Sequence, residues 1–277
     1  MKNTGETIKK IRNSRLIRQS DIANNGISRS AISKIENSKQ KLAYEDAILF
    51  CNSFGMSLSE FEYIANNYSL SLKSSIIYNF LNISSNFQKD KINILIKQCE
   101  PIKNEPDIKL IYNILLAFRV LNTPNGLEKA KKIILPIWNN YLSKIETWSI
   151  LDLYVLDTIF FVFNDEMMNY ITKIAIQEIK EKYPFLKRLE SSFLINKSYL
   201  QMRKRKFIAA KESLNNVIKL CKETSQHDKL LFAKGRYAIC VGDKISALHY
   251  KHLLKEIGED ELSYSLNCEI ENFKANF

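Results

Sequence analysis

The chain has 277 residues, enough for two domains of ordinary size, and its 45% hydrophobic content is sufficient for buried cores. The 41 Lys and Arg against 30 Asp and Glu give a net charge of +11, which favours an anionic partner and excludes an acidic, disordered chain. The presence of only 7 Gly and 5 Pro argues against β-rich folds with many tight turns and against Gly-rich phosphate loops. We therefore predict an all-α fold.

Cysteine usage and hydropathy indicate the compartment. The five cysteines are an odd number, lie far apart and include no CxxC pair, which is typical of a reducing cytoplasm. No stretch of about 18 apolar residues occurs along the chain. We expect a cytoplasmic protein without a membrane anchor.

Residues 1–66 are predicted to form the first domain, built from five short helices. Asn3 and Glu6 have the spacing of a capping box, and the helix that follows carries Ile8 and Ile11 one turn apart. We therefore expect the first helix to turn these two isoleucines inward.

The second and third helices are separated by a short polar turn. The second helix is predicted over about 18–23, and residues 24–26 (Asn-Asn-Gly) tolerate the left-handed conformation that a turn needs. Ser28 is a strong N-cap for the third helix. Ile27 and Ile32 have the spacing of a hydrophobic staple, which fixes the direction in which this helix begins.

The fourth and fifth helices complete this domain. The fourth is predicted over about 44–54 and ends at Gly55, while Ser57 with Glu60 opens the fifth. The apolar positions at helical spacing are Ala47, Ile48, Cys51 and Phe54 in the fourth helix, and Leu58, Phe61 and Ile64 in the fifth.

The third helix carries the functional prediction for this domain. Its inward positions are Ile32 and Ile35, so its hydrogen-bonding side chains project outward, namely Arg29, Ser30, Ser33, Lys34 and Asn37. Such side chains suit the major groove of DNA, where base edges offer acceptors and phosphates lie alongside. The alternative is a small helical bundle whose basic face is merely solvated.

Charge is concentrated on the same part of the chain. Residues 1–41 hold ten basic and three acidic side chains, whereas residues 42–70 hold four acidic ones and no Lys or Arg. The positive charge is thus expected on the face formed by the first three helices.

The run from Gln19 to Lys39, QSDIANNGISRSAISKIENSK, resembles the helix-turn-helix of Xre/Cro-type repressors. The resemblance covers about 60 residues and implies base-reading positions at Arg29, Ser30 and Lys34. It also implies phosphate contacts from Gln19 and Asn37, to which Arg12 and Arg15 at the end of the first helix are added. The chain departs from the family at Ser38, where a glycine is usual, so we expect some strain in that turn.

Residues 71–277 are predicted to form a second domain of successive helices. Their charge, 31 basic against 23 acidic side chains, is spread over the whole length. Breaks fall at 101–106, 123–126, 183–184, 242–243 and 258, which leaves segments of about 15 to 20 residues with helical periodicity. Such segments fit antiparallel helix pairs.

A weak internal repeat supports stacking of these pairs. A small or aromatic residue precedes a Leu or Ile by four positions at Ala130 and Ile134, Tyr170 and Ile174, and Ala210 and Leu214, with an irregular fourth copy at Ala247. The leading residues are 40, 40 and 37 positions apart, and Tyr199-Leu200 with Phe207 and Ala210 resembles the tetratricopeptide repeat. Chance coincidence within a helical chain is the alternative. A superhelix of such hairpins has a concave wall suited to an extended peptide.

The two domains together resemble the Rgg/MutR family of regulators. The C-terminal segments that carry this resemblance are Thr147-Trp148, Leu153-Tyr154, Phe160-Phe161 and the sequence LINK at 194–197. The resemblance implies a homodimer paired through the C-terminal domain, which binds promoter inverted repeats in double-stranded DNA and senses a short secreted peptide after import.

Three residues are candidates for peptide binding under that resemblance. Asn196 is the first, because a side-chain amide donates and accepts at once, and Asp157 and Tyr154 on one helix are the others. The alternative for Asn196 is an ordinary hydrogen bond between helices. The basic run at 203–206 is open to three interpretations: a site for a peptide carboxylate, a DNA contact or a solvated loop.

We expect no enzymatic function and no bound metal or cofactor. The histidines are at 227, 249 and 252, and the pair His249 and His252, three positions apart on a helix, lacks an evident third ligand. None of the common nucleotide-binding or hydrolase motifs occurs. Two hypotheses remain: a transcription regulator controlled by a peptide, and a protein-interaction scaffold that its N-terminal domain tethers to DNA. A regulator without any ligand is also compatible with these residues.

Overall fold

The structure is a computed structural model that describes residues 4–24, 26–83, 88–121 and 123–277, and within these ranges every regular element is helical. The chain divides into two compact units, Met1–Phe80 and Leu81–Phe277. The predicted all-α fold, with a helix-turn-helix domain followed by helical repeats, is confirmed.

The first unit contains the five helices predicted for it and one more. Their bounds are α1 Thr4–Ser14, α2 Gln19–Ala23, α3 Arg29–Glu36, α4 Tyr44–Phe54, α5 Leu58–Ala65 and α6 Leu72–Leu81. Asn3 and Asn25, which were assigned to a cap and a turn, lie outside the described residues. Asn24 adopts right-handed helical geometry, so at this turn the left-handed conformation is shown by Gly26, with φ of 112°.

A single apolar core holds helices α1 to α5 together. Its buried members are Ile8, Ile11, Ile22, Ile27, Ile32, Ile35, Phe50, Cys51, Phe54, Met56 and Phe61. The predicted inward positions, Ile8 and Ile11 of the first helix and Ile32 and Ile35 of the third, are therefore confirmed. The prediction of Ile48 and Leu58 as core residues was wrong, because their side chains are 37% and 40% exposed. Phe50 takes the inward position in α4.

Two backbone features fix the end of α3. A Cβ at Gly5 would overlap the carbonyl oxygen of Ile35, so α1 approaches α3 at a distance that only glycine permits. Ser38 follows α3 with φ of 57°, and its N–H donates to the Ile35 carbonyl oxygen at 2.9 Å. The strain predicted for this turn therefore arises because a serine adopts the left-handed conformation.

The second unit is a series of antiparallel helices. Their bounds are α7 Lys89–Cys99, α8 Pro106–Leu121, α9 Gly126–Ile137, α10 Ile150–Thr158, α11 Asp165–Lys182, α12 Lys187–Arg203, α13 Phe207–Glu223, α14 His227–Val241, α15 Lys244–Glu256 and α16 Asp260–Asn272. The predicted breaks all fall at helix boundaries, and two of them include the first residue of a helix, Pro106 of α8 and Gly126 of α9. From α11 to α16 each helix packs against the next in the chain, as stacked hairpins require.

The internal repeat is correct in three of its copies. Ala130, Ala210 and Ala247 are fully buried, as are Ile134 and Leu214. The copy at Tyr170 and Ile174 was wrong, because Tyr170 is 57% exposed, whereas Ile171 and Ala175, each one position later, are fully buried. The helix is thus rotated by one residue from the predicted register.

Candidate functional site

Helix α3 presents a polar edge to solvent. Ser28 Oγ accepts a hydrogen bond from the Ala31 N–H at 3.1 Å, so the predicted N-cap is confirmed. Ile32 and Ile35 are buried beneath the helix, and this orientation leaves Arg29, Ser30 and Lys34 exposed. The three predicted base-reading side chains are therefore all accessible, Arg29 and Ser30 in the first turn of the helix and Lys34 in its last turn.

A buried carboxylate holds α3 against its neighbours. Glu36, whose side chain is 1% exposed, accepts hydrogen bonds from Arg12 Nε at 2.5 Å and from Arg12 Nη2 at 3.0 Å. Gln19 Nε2 donates to the same carboxylate at 2.8 Å. The hydrogen bond with Glu36 raises the pKa of Arg12, although burial opposes it. The Glu36 carboxylate of α3 thus binds side chains from both α1 and α2.

The residues predicted to contact phosphate have different surroundings. Arg12 is 12% exposed and engaged by Glu36, whereas Arg15 is exposed and donates to the carbonyl oxygen of Phe54 at the end of α4. Asn37 is exposed, and its Nδ2 donates to the Ser33 carbonyl oxygen at 2.8 Å. Asn37 and Arg15 thus remain accessible to an anion, while Arg12 and Gln19 support the helix.

In the second unit the structure brings Asn196 and Asp157 together. Asn196 Nδ2 on α12 donates to Asp157 Oδ1 on α10 at 3.1 Å, which is the hydrogen bond between helices named as the alternative for Asn196. Burial raises the pKa of Asp157 to about 6, although Lys229, Asn196 and Ser192 lower it. Burial and then Asp157 raise the pKa of Tyr154, the third candidate, on the same helix.

Ser192 and Lys229 belong to this cluster and were missed from the sequence. Ser192 lowers the pKa of Asp157, and the Lys229 ammonium on α14 donates to Ser192 Oγ. Lys229 follows Ser192 by 37 positions, the interval between Ala210 and Ala247 in the sequence repeat. That interval is the signal that could have related the two residues from the sequence.

The basic run at 203–206 forms the turn between α12 and α13. Arg203 Nη1 lies 3.3 Å from Asp165 Oδ1, and the Arg205 guanidinium lies 5.7 Å from the ring centroid of Phe273. Two of its four cations are thus engaged by neighbouring helices, while Lys204 and Lys206 are exposed. These contacts favour the interpretation as a turn on the surface.

No helix in the described parts of the chain has the length and apolar character needed to cross a membrane.

Comparison with protein families identifies the first unit. The helix-turn-helix model HTH_3 matches residues 8–61, which include all of α2 and α3. No curated protein matches the chain by sequence. The N-terminal unit is therefore a helix-turn-helix domain.

Solved structures share the fold over nearly the whole chain. The SHP pheromone receptor Rgg2 of Streptococcus dysgalactiae is 16% identical, with a TM-score of 0.65 over 99% of this chain and 100% of that one. A putative transcriptional regulator from Listeria monocytogenes is 17% identical, with a TM-score of 0.73 and coverage of 98% and 97%. PlcR of Bacillus thuringiensis, solved with the peptide PapR7 and DNA, is 12% identical, with a TM-score of 0.66 and coverage of 96% and 99%.

Proposed function

We propose that this chain, a helix-turn-helix protein with the fold of the Rgg-type regulators, is a transcription regulator that binds DNA and responds to a short peptide. The observation that carries the proposal is the polar edge of α3, which is capped at Ser28, supported from below by Ile32 and Ile35, and open to solvent.

The DNA-binding half of the proposal assigns roles to individual side chains. Arg29, Ser30 and Lys34 contact base edges in the major groove, and Asn37 and Arg15 contact phosphate. Arg12 and Gln19, which the sequence also assigned to phosphate, act chiefly through Glu36 by fixing the position of α3.

Selection from a random pool of duplex DNA tests this half directly. The full-length protein should enrich one sequence, and its affinity should fall steeply with salt because bound phosphates release counterions. A variant with Lys34→Ala should lose the enrichment, whereas Lys255→Ala, a matched change at an exposed lysine of α15, should retain it. Enrichment of no sequence by the wild-type protein would overturn the proposal.

We further propose that two copies act together on DNA. One recognition helix covers too few base pairs for strong selectivity, whereas two helices about 34 Å apart read an inverted repeat. Sedimentation of the protein at micromolar concentration should therefore give a dimer, and the enriched DNA should contain two half-sites. A monomer with a single half-site would contradict this step.

The second unit is proposed to bind the peptide on the helices that carry Asn196, Asp157 and Tyr154. In this proposal the Asn196 amide contacts the peptide backbone while its Nδ2 remains turned toward Asp157. Short apolar peptides added to the purified protein should bind saturably at micromolar concentration or below. Binding only to a large protein partner would instead support the scaffold hypothesis.

A further inference from the structure

The cluster around Asn196 joins three helices. Asp157 lies on α10, Ser192 and Asn196 lie one turn apart on α12, and Lys229 lies on α14. Asp157 accepts a hydrogen bond from Asn196, and Ser192 Oγ accepts one from the Lys229 ammonium. Lys229 is thus held beside the residue that we propose contacts the peptide.

Lys229 is the cation that acts on the Asp157 carboxylate. It lowers the pKa of Asp157, and its Nζ donates to Ser192 Oγ. Arg188, also on α12, acts electrostatically on Tyr154 instead, and its Nη2 donates to the Thr224 carbonyl oxygen. Lys229 is therefore the cation of this cluster that can attract an anionic group of a ligand.

The hydrogen-bonding capacity of the cluster points the same way. Asp157 already accepts a hydrogen bond from Asn196, whereas an ammonium group carries three N–H donors and Ser192 takes one from Lys229. Donors rather than acceptors are therefore left for a ligand. A carboxylate matches them, because charge-assisted hydrogen bonds of an ammonium to a carboxylate are the stronger kind.

We propose that Lys229, together with Asn196, binds a carboxylate of the peptide and so selects peptides that carry an acidic side chain or a free C-terminus. The inference rests on the proposed peptide-binding function and adds to it the charge of the ligand. Ser192 acts as a positioning residue that keeps the ammonium beside the amide.

Four matched pools of fluorescent octapeptides test the inference. All are built from apolar residues, with either Glu or Gln at one varied position and either a free or an amidated C-terminus. Anisotropy measurements with the full-length protein should show binding about tenfold tighter for pools that carry a carboxylate. The Glu pool with an amidated end and the Gln pool with a free end distinguish the two sources.

Variants of α14 identify the residue responsible. Lys229→Met should reduce the preference for carboxylate pools to about twofold or less. Lys234→Met, a matched change on the same helix at a lysine that lies 5.6 Å from the ring centroid of Tyr250, should retain the preference. Circular dichroism verifies that each variant folds, and the ranking of the pools on the wild-type protein needs no variant.

Two results would overturn the inference. Equal affinity of the wild-type protein for all four pools, or an undiminished preference in folded Lys229→Met, refutes the carboxylate site and leaves peptide binding intact. Binding to none of the pools refutes the proposed peptide function, and the inference with it.

Discussion

Arg12 and Glu36 form a two-point ion pair that joins α1 to the last turn of α3, with N–O distances of 2.5 and 3.0 Å. Gln19 at the beginning of α2 donates to the same carboxylate. Because the pair is nearly inaccessible to water, the two side chains bind each other rather than solvent. The pair therefore sets the angle at which the exposed edge of α3 leaves the core. The position of Arg29 and Lys34 thus depends on residues that lie behind them.

Loss of the Glu36 carboxylate should destabilise the first unit. We expect Glu36→Ala to lower the free energy of unfolding by about 3 kcal/mol, because it leaves the Arg12 guanidinium buried without its partner. Urea denaturation with hydrogen exchange on α3 measures the loss. Lys10→Ala, which breaks the exposed Lys10–Glu6 pair at 3.0 Å, should change it by less than about 0.5 kcal/mol. Equal losses in the two variants would contradict the assigned role.

Substitutions at two left-handed positions should act in opposite directions. Ser38→Gly should raise the free energy of unfolding by about 0.5 kcal/mol, since φ of 57° strains a serine and suits a glycine. Gly55→Ala, at φ of 63°, should lower it by about 1 kcal/mol. The nearest atom to a Cβ at Gly55 is Arg15 Nη1 at 3.8 Å, so the cost there is conformational rather than steric. Thermal unfolding of both variants measures the two signs, and a shared sign would refute the argument.

Base-reading and phosphate-contacting cations should differ in their effect on DNA binding. Arg29→Ala should weaken binding to the selected sequence by about 1 to 3 kcal/mol and relax the choice of base at one position. Lys9→Ala should weaken binding to every sequence alike or have no effect. Titrations against selected and random duplexes at two salt concentrations separate the two cases. An equal loss on both duplexes for Arg29→Ala would remove it from the base-reading set.

The first unit was predictable in detail because its helix ends are set by local chemistry. Ser28 and Ser57 cap the two helices that the sequence predicts them to cap, α3 and α5. Gly55 ends α4 in the left-handed conformation. The side of a helix that is buried depends on more distant packing, and here the sequence was less informative. Helix α11 carries apolar residues on several faces, so its pattern did not distinguish Tyr170 from Ile171 as the inward position.

The rotation of α11 gives a direct test of this correction. Ile171→Ala should lower the free energy of unfolding of the second unit by about 3 kcal/mol, because the side chain is fully buried. Tyr170→Ala should lower it by less than about 0.5 kcal/mol, since the ring is 57% exposed. Urea denaturation of the two variants decides between the registers. A larger loss for Tyr170→Ala would restore the register predicted from the sequence.

The polar cluster of the second unit was predictable only in part, for a physical reason. Asn196 and Asp157 were named from the chain, but their hydrogen bond depends on how α10 and α12 stack. Ser192 and Lys229 have no local pattern that marks them as partners. Only the spacing of the repeat, which places equivalent residues of successive hairpins side by side, relates them.

The partly buried Asp157 should make stability depend on pH in the direction opposite to most carboxylates. Its pKa is about 6 in the folded chain against an ordinary value of 3.8, so between these values the folded protein keeps a proton that the unfolded chain releases. The contribution of Asp157 to stability therefore falls as pH rises through this window. Relative to Asp157→Asn, the wild-type protein should lose more than about 1 kcal/mol between pH 4 and pH 7.

A second carboxylate supplies the control of opposite sign. Hydrogen bonds from the side chain and backbone of Ser246 lower the pKa of Asp243, so its contribution to stability is present above the ordinary pKa of Asp and is lost as pH falls below it. Relative to Asp243→Asn, the wild-type protein should gain stability as pH rises. Urea denaturation of the three proteins between pH 3 and pH 7 gives the two differences, in which the titration of the other carboxylates cancels. Differences that change in the same direction with pH would show that Asp157 is hydrated in the folded protein, because only desolvation raises its pKa above the ordinary value.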